Sequence, residues 1–264
     1  MTHDLTGKTA FISGSTAGIG FATAKGLAER GACVVLNGRS AKSTEAATAR
    51  LREALPDARV SGLPADLSTA AGVDEAVSAL GQVDILVNNL GIYGPEDFFE
   101  TSDDTWQSYF DTNIMSAVRL SRALAPAMVT KGWGRIVFLS SESAVNIPDD
   151  MIHYGLTKTA LLALSRGLAK RLRESGVTVN AVLPGPTSSE GFVEMIETRT
   201  AETGESFEAA AIGFVKEARP SSILGRPTTP EEVAAMVVYA CTPAASGTTG
   251  AALRVDGGVV ESAS

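Results

Sequence analysis

The sequence predicts an α/β chain built on a doubly wound parallel sheet. Short apolar strand segments alternate with helical ones along nearly the whole length. The first strand runs into a glycine-rich turn that opens a helix, Gly14-Ser-Thr-Ala-Gly18-Ile-Gly20. Irregular, polar stretches fall at the carboxyl ends of strands, where such sheets bind ligands.

Residues 8–13 read as the first strand and 21–30 as the helix after the turn. Strand, glycine turn and helix together present free N–H groups and a positive dipole end to a phosphate. Gly14 permits the tight turn, and Gly18 and Gly20 permit close approach of backbone or ligand. Residues 32–37 form a second strand ending in Asn37-Gly38-Arg39-Ser40. A carboxylate there would bind the 2′-hydroxyl of NAD, and an arginine favours the 2′-phosphate of NADP. No acid stands at 37–40 and Arg39 does, so NADP(H) is favoured, with NAD(H) possible.

A helix over 42–55 leads to a third strand, 59–63, ending in Ala65-Asp66-Leu67-Ser68. Asp66 is placed either to accept from an adenine amino group or to cap the helix starting near Thr69. The fourth strand, 83–87, runs into Asn88-Asn89-Leu90-Gly91. Residues 103–131 read as one long helix containing Asn113. That residue is a poor helix former, either tolerated or bonded across to something functional.

The fifth strand, 133–139, delivers Ser141 to its end, and a following helix carries Tyr154 and Lys158. Positions i and i+4 share a helix face, so phenol and ammonium can sit side by side. A nearby cation lowers a phenol from its reference of about 10, which makes Tyr154 a usable acid or base. Taken alone, a Tyr-x-x-x-Lys pair is usually an ordinary helix surface.

The sixth strand, 177–182, is followed by Pro184-Gly185-Pro186-Thr187-Ser188-Ser189. Residues 188–226 are helix-prone and acidic, and are expected to form a lid over the pocket. Thr229-Pro230-Glu231-Glu232 starts the last helix and 252–255 the last strand. The absence of repeats and linkers makes residues 1–264 one domain.

Composition narrows the function. With 22 basic against 30 acidic residues the formal charge is −8, and no basic-aromatic cluster invites nucleic acid. No apolar run has membrane-spanning length, and residues 1–9 lack the pattern of a signal peptide. A cytoplasmic protein is expected. Cys33 and Cys241 read as reduced core thiols, and His3 and His153 do not make a metal site.

These pieces, in this order, resemble the classical short-chain dehydrogenase/reductases over nearly the whole chain. The matching residues are Ser13-Gly-Ser-Thr-Ala-Gly-Ile-Gly20, Asp66, Asn88-Asn89-Leu90-Gly91, Asn113, Ser141, Tyr154-x-x-x-Lys158, Pro184-Gly185 and Asp256-Gly-Gly258. The resemblance implies a Rossmann-type domain with a mainly parallel seven-stranded sheet. It implies hydride transfer between a nicotinamide cofactor and a small to medium ketone or secondary alcohol, by a tetrad of Asn113, Ser141, Tyr154 and Lys158. Ser141 would polarise the carbonyl and Tyr154 would donate the proton. Lys158 would depress the Tyr154 pKa and hold the nicotinamide ribose. Asn113 would bind a water that relays protons.

By the same resemblance Gly14, Ser15, Thr16, Gly18, Ile19 and Gly20 would meet the cofactor's diphosphate side. Asp66 and Leu67 would meet the adenine, and Asn89 and Gly91 the adjoining ribose. Pro184, Gly185 and Thr187 would meet the nicotinamide end, with Ser189 beside them. Ser13 and Leu90 depart from the family's usual threonine and alanine. The loop also lacks the basic residue common in NADP-preferring members.

The substrate pocket is expected to be lined by Tyr93, Ser143, Ile147, His153, Phe192 and Met195. A 3-oxoacyl carrier-protein reductase is an alternative. Its acidic carrier wants a basic docking face, yet residues 188–218 hold seven glutamates against Arg199 and Lys216. An NAD-dependent alcohol dehydrogenase and a non-catalytic dinucleotide-binding protein are further alternatives. A homodimer or homotetramer is expected.

Overall fold

The structure, a computed structural model, describes residues 4–263. Residues 1–3, His3 among them, and residue 264 lie outside the described residues. The strands are β1 (Thr9–Ile12), β2 (Cys33–Gly38), β3 (Val60–Pro64), β4 (Ile85–Asn88), β5 (Gly134–Leu139), β6 (Val177–Pro184) and β7 (Ala252–Val255). They form one seven-stranded sheet in the order β3-β2-β1-β4-β5-β6-β7, with every pairing parallel. The order reverses between β1 and β4, which opens a crevice at their carboxyl ends.

The strands at the centre are buried along nearly their full length, as expected where helices cover both faces of a parallel sheet. On one face lie α1 (Gly18–Ala28), α2 (Ala41–Ala54) and α9 (Pro230–Cys241). Their Leu27, Leu51, Val233 and Val237 pack with Ile12, Val34 and Val137. On the other face lie α3 (Ala70–Leu80), α5 (Ser116–Lys131) and α6 (Ile152–Arg171). Their Val73, Leu120 and Leu161 pack with Phe11, Leu86 and Phe138. Thr229 and Glu232 close a reciprocal capping box at the start of α9, matching the sequence signature.

The expected long helix over 103–131 is three pieces. α4 (Asp103–Tyr109) passes through a π turn, Phe110–Met115, into α5. Asn113 sits in that turn and is tied sideways. Its Oδ1 accepts from Ile92 N at 2.8 Å, and its Nδ2 donates to Ile92 O and to Thr157 Oγ1, each at 3.0 Å. Side-chain bonds to another loop and another helix hold the widened turn open.

Residues 188–226 contain two helices, α7 (Glu190–Thr203) and α8 (Phe207–Ala218), which share a small core of Phe192, Ile196, Ala210, Ala211 and Phe214. Among the described residues, no helix is long and apolar enough to cross a membrane.

Candidate active site

β5 ends by handing the chain to Ser140 and Ser141, and α6 runs back beside it. Ser140 Oγ donates to the Lys158 carbonyl at 2.8 Å, and Lys158 Nζ donates to the Leu139 carbonyl at 2.9 Å. Strand end and helix are thereby fixed to each other. Ser141, Tyr154 and Lys158 line one cavity of about 440 Å³, with Tyr93, Ser143 and Phe192 facing them. The Tyr93 ring stands edge-on to Tyr154 at 6.3 Å. Gly91 closes over the lysine: a Cβ there would lie 3.2 Å from Lys158 Nζ and 3.4 Å from Asn113 Oδ1. Asn113 therefore adjoins the site from behind, with its side chain already bonded.

The electrostatics differ from the sequence expectation. Burial pushes the Tyr154 phenol above its usual range, and the nearby Glu142 and Tyr93 push the same way. Ser141 and Arg219 act in the opposite sense but are weaker than burial. Lys158, with its Nζ 5.5 Å from the phenol ring centre, is itself lowered to about 8 by burial. Burial thus dominates both groups, raising the phenol and lowering the ammonium, against the direction expected for Tyr154.

The helix after the glycine turn begins at Gly18, with no side-chain cap and no acid in its first turn. By contrast α2, α3, α8 and α9 are capped by Ser40, Thr69, Ser206 and Thr229. Free N–H groups on an uncapped helix suit an anion such as a diphosphate. Gly20 has no room for a Cβ, which would fall 2.5 Å from Asn89 Nδ2 and 2.7 Å from Gly14 O. Ile19, Gly20, Asn89 and Gly91 line the cavity on this side, and Pro184, Gly185, Thr187 and Ser189 on the other. These residues fit a dinucleotide lying across the switch point.

Other expected cofactor residues are placed differently. Ser15 is fully buried; its Oγ donates to Ile12 O at 2.7 Å and accepts from Asn37 N at 2.9 Å. Its hydroxyl pins β1 to β2 and is unavailable to a ligand. The Leu67 side chain is buried in the core, leaving only its backbone for the adenine side. Gly14, Thr16, Gly18, Arg39 and Asp66 lie outside the cavity wall, toward the ends of β1 to β3. Asp66 does not cap α3 through its carboxylate: Thr69 does, while Asp66 Oδ1 accepts from Ser68 N and Oγ. Asn37 accepts from Gly14 N and donates to Leu63 O and Ala65 O, so it braces the glycine turn. Arg39 is exposed.

A family model described as Enoyl-(Acyl carrier protein) reductase matches residues 14–260. The uncharacterized oxidoreductase YvaG of Bacillus subtilis is 42% identical over 262 residues, covering 99% of each chain. The chain belongs to the short-chain dehydrogenase/reductase family. It is an NAD(P)-dependent oxidoreductase. The D-beta-hydroxybutyrate dehydrogenase of Cupriavidus necator is 34% identical over 260 residues, 97% of this chain and 99% of that one. The L-sorbose reductase of Gluconobacter frateurii, solved with NADPH and L-sorbose, superposes with a TM-score of 0.93. It is 33% identical and covers 99% of this chain and 100% of that one.

As a short-chain dehydrogenase the chain departs from the sequence reading in its pocket. His153 is not in the cavity; it is buried between Tyr109 and Trp106. Ile147 also lies outside, half-exposed under Gly155. Met195 does line the cavity, as do Ser143 and Phe192. Leu90 packs on Gly14 and the core rather than facing the cavity, and Ser13 Oγ accepts from Asn89 N and Leu90 N. Both departures from the family pattern are absorbed by the loop.

Sequence reasoning missed Glu142 and Arg219. Glu142 is buried beside Ser141, and Arg219, at the end of α8, reaches it across the cavity. The signal was present as a carboxylate enclosed by serines, Ser140-Ser-Glu-Ser143. Among the described residues, no cluster of three or more metal-binding side chains occurs.

Proposed function

We propose that this chain is an NADPH-dependent reductase of small to medium ketones that also oxidises the corresponding secondary alcohols. The observation that carries this reading is the meeting of Ser141, Tyr154 and Lys158 in one cavity beside an uncapped, glycine-opened helix. A nicotinamide cofactor, when bound, supplies or accepts the hydride. Ser141 orients and polarises the carbonyl through its hydroxyl. Tyr154 delivers a proton from its Oη to the reacting oxygen, and takes one back in the reverse direction. Lys158 holds positive charge next to the phenol and binds a ribose hydroxyl. Asn113 ties the π turn to Ile92 and Thr157 and would help to place a water that relays protons to Lys158.

Ile19, Gly20, Asn89, Gly91, Gly185 and Thr187 would hold the cofactor along the crevice. NADP(H) is favoured over NAD(H) because no acid stands after β2, while Arg39 is exposed there for a 2′-phosphate. The NADPH complex of the related sorbose reductase agrees with that preference. α7 and α8 are assigned as the substrate cover within one domain, and Phe192 and Met195 from α7 supply its apolar inner surface. An acyl-carrier substrate fits poorly, since this cover is acidic and its Arg199 is already paired with Glu217. The exposed apolar residues Phe110, Val129 and Leu156 on α4–α6 support a homodimer or homotetramer, which light scattering tests. A cytoplasmic location is assigned with the family resemblance, and cell fractionation tests it.

The test of the reading is NADPH and NADH titration by fluorescence, followed by turnover of a panel of small ketones. Tight NADPH binding with ketone-dependent NADPH consumption is expected. Binding of neither nucleotide contradicts the reading.

A further inference from the structure

Glu142 is buried at 3% exposure and carries an unusual set of donors. Its Oε2 accepts from Ser141 Oγ at 2.5 Å, Ser143 N at 2.6 Å and Ser143 Oγ at 3.0 Å. Its Oε1 accepts from Arg219 Nε at 2.5 Å. All four neighbouring groups donate to the Glu142 oxygens, which act as acceptors. Both serine hydroxyl hydrogens are therefore drawn toward Glu142, and their oxygens present lone pairs elsewhere.

Ser141 and Ser143 line the same cavity, and their hydroxyls sit one hydrogen bond each from a single oxygen. They are next to each other on the floor. Ser141 Oγ already accepts from Ser143 N at 3.1 Å. Among the described residues no group donates to Ser143 Oγ, so its lone pairs are open to a ligand donor. When Ser141 turns its hydrogen to a substrate carbonyl, Ser143 N and Oγ still satisfy Glu142. The floor then offers a donor and an acceptor side by side, matching a carbonyl and a neighbouring hydroxyl.

We infer that the Glu142–Arg219 pair sets Ser143 Oγ as a hydrogen-bond acceptor and so selects substrates bearing a hydroxyl next to the reacting carbon, α-hydroxyketones and vicinal diols. Glu142 and Arg219 are positioning residues, and Ser143 is the specificity-determining contact. Because Arg219 follows α8 directly, seating of the cover completes the pair. The inference rests on the proposed reductase reading, whose failure is separable from its own.

Hydroxyacetone and butanone have equal numbers of heavy atoms and differ in the hydroxyl. The test is their ratio of kcat/KM with NADPH in wild type, S143A, E142Q, R219M and R219K. The wild type is expected to prefer hydroxyacetone by about tenfold, the worth of one hydrogen bond. The ratio should fall toward one in S143A, E142Q and R219M, and recover in part in R219K. A general loss of folding lowers both substrates together and leaves the ratio unmoved. A wild-type ratio near one, or a ratio unchanged in S143A, overturns the inference. Calorimetry on the Tyr154→Phe enzyme with NADPH reads binding without turnover. Preferential hydroxyacetone binding there supports the inference even if the wild type turns over neither ketone, which would contradict the reductase reading alone. Binding of neither ketone overturns both.

Discussion

Lys158 Nζ donates a 2.9 Å hydrogen bond to the Leu139 carbonyl, tying the helix that carries Tyr154 to the strand that delivers Ser141. The lysine is buried for this purpose, and burial lowers it from 10.5 to about 8. Between those values the unfolded chain holds more protons than the folded one. The destabilisation from the buried charge is therefore complete below pH 8 and is relieved as pH rises toward 10.5. Urea unfolding at a series of pH values should show wild type gaining on the order of 3 kcal/mol relative to Lys158→Met across that window. Parallel pH profiles would contradict a buried, depressed lysine. Turnover should also decline above pH 8 as the ammonium is lost.

Gly91 leaves just enough space for that lysine. A methyl group in Gly91→Ala would meet both Lys158 Nζ and Asn113 Oδ1 at under 3.5 Å. Displacing the ammonium by a few tenths of an ångström should lower kcat/KM by about tenfold or more, with only a modest change in Tm. Unchanged kinetics would show that the lysine has freedom the structure does not give it.

The fold, and the gathering of Ser141, Tyr154 and Lys158 around one cavity, were legible in sequence because they rest on local signals. Strand periodicity, the glycine turn and the Thr229–Glu232 capping box need no knowledge of distant contacts. What failed depended on partners far away in the chain. The π turn at Asn113 arises from bonds to Ile92 and Thr157, and a helical pattern over 103–131 carries no sign of them. Ser15 looked like a phosphate-loop serine until Asn37 claimed its oxygen. His153 neighbours Tyr154 in sequence, but points to Tyr109. Glu142 was legible only as a residue type; its meaning comes from Arg219, 77 positions later.

Asn37 braces the glycine turn with one accepted and two donated hydrogen bonds. Asn37→Asp turns an acceptor oxygen toward the carbonyls of Leu63 and Ala65. Stability should fall by about 3 kcal/mol, read by denaturant unfolding. A loss under about 0.5 kcal/mol would show that the turn is held by other contacts.

Arg39 is exposed at the end of β2, where it makes no hydrogen bond or ion pair in the described residues. Arg39→Ala should raise the Kd for NADPH about 10- to 100-fold and leave that for NADH unchanged, the loss of one charge-assisted contact. Equal weakening of both nucleotides would remove Arg39 as the phosphate reader.

Under the proposed function Tyr154 moves the proton in a pocket prepared by Ser141 and Lys158. The most direct measurement is Tyr154→Phe, comparing ketone-dependent NADPH oxidation with NADPH binding. The expected result is a turnover loss of about a thousandfold or more with NADPH affinity nearly intact. Turnover at the wild-type level in the phenylalanine enzyme would contradict the account.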